Sequence, residues 1–177
     1  RLLEGDEERC TRCDENRTLH DYACPCAAGR YTSSGGSCTA CPTGQFQRHL
    51  NAANISACMP CPAGTASNAA LATMPSACGV CQPGTFAPEG SATCTPCTPG
   101  RYAAGSDSSE CAECAAGRFQ TEHGGQEQCA LCPVGHWCGA IDAVPVACAP
   151  GRYRGAPGAT LATACTACAA GSFSDTA

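Results

Sequence analysis

The chain has 177 residues, of which 20 are cysteine, 20 glycine and 13 proline, against four Tyr, four Phe and one Trp. A cysteine share above roughly 8–10% marks a disulfide scaffold, and Cys and Ala inflate the 44% hydrophobic content, so one large aliphatic core, an α/β enzyme and a helical bundle are excluded. The net charge of −5 is thinly spread and Lys is absent. The chain therefore lacks the cationic footprint that nucleic acid requires.

Residues 1–25 read as an acidic linker and a partial first unit, with Glu4, Asp6, Glu7, Glu8, Asp14, Glu15 and Asp21 outnumbering Arg1, Arg9, Arg12 and Arg17. The opening Arg1-Leu2-Leu3-Glu4-Gly5 has no apolar stretch of the secretory kind, and no run of 18 apolar residues is long enough to span a membrane. From residue 26 a repeat takes over and runs through 131. A short variant unit follows over 132–147, and 148–177 holds a further repeat and the opening of another. The last of these, after Cys165-Thr166-Ala167-Cys168, reads as a unit without its close. The expectation is a segment of a longer protein.

The repeat has two parts. Eight Cys-x-x-Cys pairs run along the chain: Cys10/Cys13, Cys38/Cys41, Cys58/Cys61, Cys78/Cys81, Cys94/Cys97, Cys111/Cys114, Cys129/Cys132 and Cys165/Cys168. A second motif, Cys-x-x-Gly-x-aromatic, places Tyr31, Phe46, Phe86, Tyr102, Phe119, Trp137, Tyr153 and Phe173 at one offset, and only Tyr22 falls outside it. In Cys61-Pro-Ala-Gly64-Thr-Ala66 alanine stands in the ring slot. Glycine permits a positive φ, so the chain turns sharply after the cysteine. The ring is the one large apolar group of each unit, and it is expected to pack on the disulfide and the neighbouring unit. The Gly/Ser-rich stretch after it, such as Thr32-Ser33-Ser34-Gly35-Gly36-Ser37, reads as the tip of an irregular hairpin. Helical character is confined to 68–74 at most, and Pro75 ends it.

Spacing alone does not fix connectivity. Bonds within Cys-x-x-Cys are strained and redox-labile, so the economical pattern is a ladder in which the second cysteine of one pair closes a loop with the first of the next. That gives Cys26–Cys38, Cys41–Cys58, Cys61–Cys78, Cys81–Cys94, Cys97–Cys111, Cys114–Cys129 and Cys148–Cys165. Cys132 and Cys138 then close a small loop around Trp137. Cys13–Cys24 closes the first unit, with Cys10–Cys24 the alternative. Cys10 and Cys168 are left over and are expected to pair outside the segment. Each staple contributes on the order of 3 kcal/mol by the loop-closure account, enough to offset much of the ordering entropy of a unit without a core. The fold class is thus small and disulfide-rich: an elongated tandem array of short irregular β-hairpin modules with little helix and no single hydrophobic core.

Cys41-Pro-Thr-Gly44-Gln-Phe46 through Cys61, and Cys132-Pro-Val-Gly135-His-Trp137-Cys138, resemble the ephrin-receptor-like cysteine-rich repeat. The Cys41…Cys58 loop also looks like the first submodule of tumour-necrosis-factor receptor repeats, whose bond closes the same loop. Tyr22-Ala-Cys24-Pro-Cys26-Ala-Ala-Gly29-Arg-Tyr31…Cys38 resembles the C-terminal half of an EGF-like module. The resemblance covers residues 10–177 and implies an extracellular or cell-surface protein that is not an enzyme. With the long array, the absence of Lys and the abundance of Ala, it looks like the extracellular filament or coat proteins of algae and ciliates, such as mastigonemes. The role implied is a structural segment of a secreted glycoprotein, a laddered rod whose partners are further copies or other filament or matrix subunits. The alternative is the ligand-binding or stalk region of a receptor or adhesion ectodomain, with loop tips such as Arg48-His49-Leu50 or Glu122-His123 as contacts.

No catalytic or metal residue is expected. Repeated Cys-x-x-Cys is also a zinc pattern, but a Pro/Gly turn and a ring follow each pair. Thioredoxin-type chemistry needs one such pair at a helix N-terminus. His20, His49, His123 and His136 are scattered without a repeated carboxylate partner. Asp6-Glu7-Glu8-Arg9-Cys10 weakly resembles the acidic lead of a calcium-binding EGF-like module, but the reading preferred is an exposed acidic linker without cofactor. Two sequons, Asn16-Arg17-Thr18 and Asn54-Ile55-Ser56, are expected to carry N-glycans. Ala87-Pro88, Thr95-Pro96, Thr98-Pro99 and Ala156-Pro157 offer places for hydroxylation and O-glycans.

Overall fold

The computed structural model describes residues 26–122 and 127–174. The expected pair Cys13–Cys24, together with Cys10, Asn16, His20 and His123, lies outside them. Among the described residues the chain is a tandem series of two-stranded sheets, eight in all, with 3₁₀ turns at Ile55–Ala57, Pro75–Ala77 and Ala162–Ala164 as the helical elements. Pro75 thus begins a 3₁₀ turn, its fixed φ suiting the first helical position, and residues 68–74 form no helix. Repeats are numbered here by their opening cysteines: 1 at Cys26, 2 at Cys41, 3 at Cys61, 4 at Cys81, 5 at Cys97, 6 at Cys114, 7 at Cys132, 8 at Cys148 and 9 at Cys168.

The two sequence motifs are the two strands of one hairpin. In seven sheets the ring pairs with the residue just after the loop-closing position, and the residue before the ring pairs one step further on: Tyr31 opposite Thr39, Phe46 opposite Met59, Phe86 opposite Thr95, Tyr102 opposite Ala112, Phe119 opposite Ala130, Trp137 opposite Val146 and Tyr153 opposite Thr166. The x-x of each Cys-x-x-Cys is therefore the returning strand. Two strands with no third beside them leave N–H groups unused, which is why Pro60 and Pro96 are tolerated there. The hairpin closes on the turn glycine: its carbonyl accepts from the N–H of the cysteine ending the strand, as in Cys41 to Gly29 (2.9 Å), Cys97 to Gly84 (2.9 Å) and Cys132 to Gly117 (2.9 Å).

Eight disulfides hold these hairpins: Cys26–Cys38, Cys41–Cys58, Cys61–Cys78, Cys81–Cys94, Cys97–Cys111, Cys114–Cys129, Cys132–Cys138 and Cys148–Cys165. Cys168 is a free thiol, half-buried. The chain divides into two compact units. One holds the described residues up to Gly79 with Pro88–Thr93, and the other holds Val80–Ala87 and the residues from Cys94 on.

Within each unit the repeats are stitched by a recurring set of backbone bonds. The turn-glycine N–H donates to the carbonyl of the residue after the next repeat's ring: Gly29 to Gln47 (2.9 Å), Gly44 to Ser67 (2.7 Å), Gly100 to Gln120 (2.8 Å) and Gly117 to Cys138 (2.9 Å). The residue after the ring donates onward in turn, as in Gln47 to Ala72 (2.9 Å), Ala87 to Ser108 (3.0 Å) and Cys138 to Ala159 (2.9 Å). A third bond runs back to the opening cysteine, from Asn51 to Cys26 (2.7 Å), Gly90 to Cys61 (2.9 Å), Asp107 to Cys81 (3.0 Å), Ile141 to Cys114 (3.0 Å) and Gly158 to Cys132 (2.7 Å). Every donor in this third set lies in the left-handed region, with φ between 57° and 80°.

The core is small. Besides the half-cystines and Phe46 it consists of the residue after the ring (Gln47, Ser67, Ala87, Ala103, Gln120 and Cys138) and the residue after the left-handed position (Ala52, Ala72 and Ala159), all under 9% exposed. The rings do less burying than their regular placement suggests. Phe46 is buried on the Cys61–Cys78 disulfide with Ala72 and Met59, whereas Tyr31, Phe86, Tyr102, Phe119 and Trp137 are half-buried. Tyr153 and Phe173 are 50% and 85% exposed, which corrects the expectation that every ring packs. A ring is covered by the repeat that follows it, and among the described residues no complete repeat follows these two.

Candidate functional site

In six of the repeats the side chain before the ring adds a second tie. In repeats 1, 5, 6 and 8 it is arginine, whose Nη1 donates to the carbonyl of the loop-closing cysteine: Arg30 to Cys38 (3.3 Å), Arg101 to Cys111 (3.4 Å), Arg118 to Cys129 (2.7 Å) and Arg152 to Cys165 (2.8 Å). Arg101 also meets Glu113 at 2.6 Å across the strands. In repeats 3 and 4 the position is threonine, and the hydroxyls of Thr65 and Thr85 donate back to the turn carbonyls of Pro62 and Gln82 (2.7 Å each). More than half of the chain's ten basic residues thus lie in these disulfide-closed loops, and four of them brace the loop itself.

The buried polar residues after the ring are likewise structural. Gln47 Oε1 accepts the His49 N–H (2.7 Å), and Gln120 holds the Glu122 backbone through both its amide atoms (2.6 and 2.7 Å). The tips they shape, Arg48-His49-Leu50 and Glu122, are exposed. Of the histidines among the described residues, His136 Nδ1 lies 3.0 Å from the Val134 carbonyl. No group of three or more His, Cys, Asp or Glu side chains comes together among the described residues.

Asn54 is exposed and caps the 3₁₀ turn that leads into Cys58: its Oδ1 accepts the Ser56 N–H at 3.0 Å and is also hydrogen-bonded to the Ser56 hydroxyl. The corresponding turns before Cys78 and Cys165 begin at Met74 and Leu161, without a side-chain cap.

Concavities are shallow. One of about 350 Å³ is lined by Trp137, Ala147, Ala149, Arg152, Ala162 and Thr163. Exposed aliphatic side chains gather in repeats 6 to 8: Leu131, Val134, Ile141, Val144, Val146 and Leu161 are all more than 40% exposed. No described helix is long and apolar enough to cross a membrane.

The irregular unit is explained by register. Val146 pairs with Trp137 as Thr95 pairs with Phe86, so Pro145 stands where the other repeats have their loop-closing cysteine. Cys138 occupies the buried slot after the ring and bonds Cys132 across a separation of 6, against 12–17 elsewhere. Residues 139–147 are therefore outside any disulfide loop.

Residues 84–125 match the family model described as tyrosine-protein kinase ephrin type A/B receptor-like. That match begins at the ring strand of repeat 4 and ends within repeat 6; the hairpins of repeats 1, 2, 7 and 8 carry the same register, and all of these but repeat 7 carry the same staple pattern. Residues 84–125 are thus similar to an ephrin-receptor-like cysteine-rich repeat. No curated protein matches it. A match of this kind, with this many disulfides, favours an oxidising, extracellular or cell-surface setting and points to a non-catalytic domain.

Proposed function

We propose that the chain is a structural segment of a secreted glycoprotein that builds an extracellular filament, coat or matrix, of the mastigoneme type, through contacts with its own copies or with other filament subunits. The observation that carries this reading is the recurring backbone stitch between successive repeats. In most repeats it commits the turn glycine, the residue after the ring or the opening cysteine to the neighbours, leaving variable loop tips and exposed aliphatic side chains for lateral contacts. Stability in this arrangement comes from covalent staples and neighbour-to-neighbour bonds, which suits a component bearing load and exposed to proteases.

The glycoprotein part rests on Asn54, whose side chain is exposed and already hydrogen-bonded to the hydroxyl of Ser56 within its sequon, and on Asn16. Sedimentation velocity across a wide concentration range, with electron microscopy of the sedimented material, tests the assembly. Regular polymers with concentration are expected. A monomer at every concentration that saturates a soluble protein ligand would replace this reading with the receptor ectodomain.

A further inference from the structure

We propose that residues 139–147 are a proteolytic processing site, at which one cut by a protease selective for small aliphatic residues divides the array into two covalently separate pieces. The inference does not depend on the filament reading.

Disulfide topology carries it. Sixteen of the described cysteines pair with one another, and the remaining one, Cys168, is free. A cut inside any of the eight closed loops leaves the two ends joined by the staple. Outside those loops, the described chain up to Cys165 passes between disulfides only through the two residues of each Cys-x-x-Cys, held as a hairpin strand, and through the nine residues 139–147. This longer link exists because Pro145 replaces the closing cysteine and Cys138 has taken over its role.

Conformation and composition point the same way. Ile141 sits at φ 63°, a left-handed conformation that is a genuine outlier for a β-branched residue, so local opening releases strain. The segment is held by the Ile141 N–H on the Cys114 carbonyl (3.0 Å), by the Asp142 carboxylate accepting from the Gly139 N–H, and by the Val146–Ala147 strand. Ile141, Val144 and Val146 are 45%, 64% and 43% exposed, within Ala140-Ile141-Asp142-Ala143-Val144-Pro145-Val146, a sequence with small aliphatic side chains for a shallow primary pocket. It contains no Lys or Arg. Every described arginine lies inside a disulfide-closed loop, so a trypsin-like enzyme cannot divide the described array. The step is hydrolysis: one C–N bond breaks, water adds hydroxide to the carbonyl carbon and a proton to the leaving amine, and no oxidant or reductant is consumed.

The test is limited proteolysis of the native, unreduced chain with pancreatic elastase and, separately, with trypsin, read by mass spectrometry before and after reduction. Elastase is expected to give two pieces before reduction, with the new end between Ala140 and Ala147. Trypsin is expected to cut ahead of residue 26 only after Arg1, Arg9, Arg12 or Arg17, and otherwise to release pieces only after reduction. A paired variant, Cys138→Gln with Pro145→Cys, restores the regular ladder, and its elastase products are expected to stay joined until reduced. Elastase products of the native chain that separate only on reduction would overturn the proposal, as would a native chain left whole at 139–147 while stapled loops are nicked. Separation of the paired variant without reduction, once peptide mapping has verified that Cys132 is bonded to the introduced thiol, would overturn it too.

Discussion

Gly117→Ala tests whether the repeats are stacked as described. Gly117 has φ +82°, and a Cβ placed on it would lie 2.6 Å from the Gly158 carbonyl oxygen and 3.2 Å from Thr160 Cγ2, two repeats further along. Gly29 stands in the same relation to the Leu71 carbonyl (2.6 Å), and Gly44 and Gly100 abut the carbonyls of Gly90 and Ile141. The left-handed backbone costs an alanine about 1–2 kcal/mol. The clash is with backbone, and Gly117 is fixed by its N–H on Cys138 and its carbonyl on Cys132 (2.9 Å each). Relief therefore means losing at least one inter-repeat hydrogen bond, about 1 kcal/mol each, and the expected total is about 3 kcal/mol. Gly135 supplies the control: φ is +75° and a Cβ there meets nothing within 4 Å, so Gly135→Ala carries the backbone cost alone, about 1–2 kcal/mol. Guanidinium unfolding of the unreduced variants, with amide exchange at Gly158 as a local probe, reads the difference. Equal losses in the two variants would refute packing of the turn glycine on the second repeat along.

Removing the Cys41–Cys58 staple by a double Cys→Ala change is expected to cost about 3 kcal/mol and removing Cys132–Cys138 about 2 kcal/mol, because the second closes a shorter loop; the order of the two unfolding midpoints checks this. Leu71→Asn and Ile141→Asn, at φ 67° and 63°, are each expected to stabilise by about 1 kcal/mol, since Asn51 already serves at the equivalent position; a lowered thermal midpoint in both would contradict the left-handed assignment. Arg101→Ala is expected to change stability by about 0.5 kcal/mol or less, its ion-pair partner Glu113 being exposed, with the ion-pair share of that loss vanishing in high salt. Asn54→Gln is expected to remove one glycan from the protein secreted by a eukaryotic host, read as a single drop in intact mass; an unchanged mass would show Asn54 unmodified.

The parts of this fold legible in the sequence are those that depend on a particular side chain. A cysteine is needed for a staple and a ring for a filled slot, so the two motifs stand out, and their common offset reveals the hairpin before any coordinate. Two further positions recur just as strictly and leave almost no trace. The left-handed residue is Asn51, Leu71, Gly90, Asp107, Ile141 or Gly158, and all but Leu71 donate the stitch through the backbone N–H, which any residue has. Glycine, Asn and Asp there are a faint signal, and Leu71 and Ile141 erase it. The buried slot after the ring is Gln47, Ser67, Ala87, Ala103, Gln120 or Cys138, because the slot selects for size and for main-chain bonding and is indifferent to polarity when the side chain can bond its own loop.

That indifference also explains why the rings bury less than their regular spacing suggests. A unit of this size has a disulfide at its centre, and what fits against a half-cystine beside a passing carbonyl is Ala, Ser or a folded-back Gln. A ring fits only where the next repeat offers a face, as the Cys61–Cys78 pair does for Phe46. The same reasoning accounts for repeat 7. Because the slot after the ring lies close to the opening cysteine, placing a thiol there lets Cys138 reach Cys132 and frees position 145 to become proline. The hairpin register survives that exchange, since backbone pairing and turn glycine set it without the staple. What changes is which stretch of chain the covalent ladder encloses, and in this molecule that shift leaves 139–147 as the long link held by hydrogen bonds and packing alone.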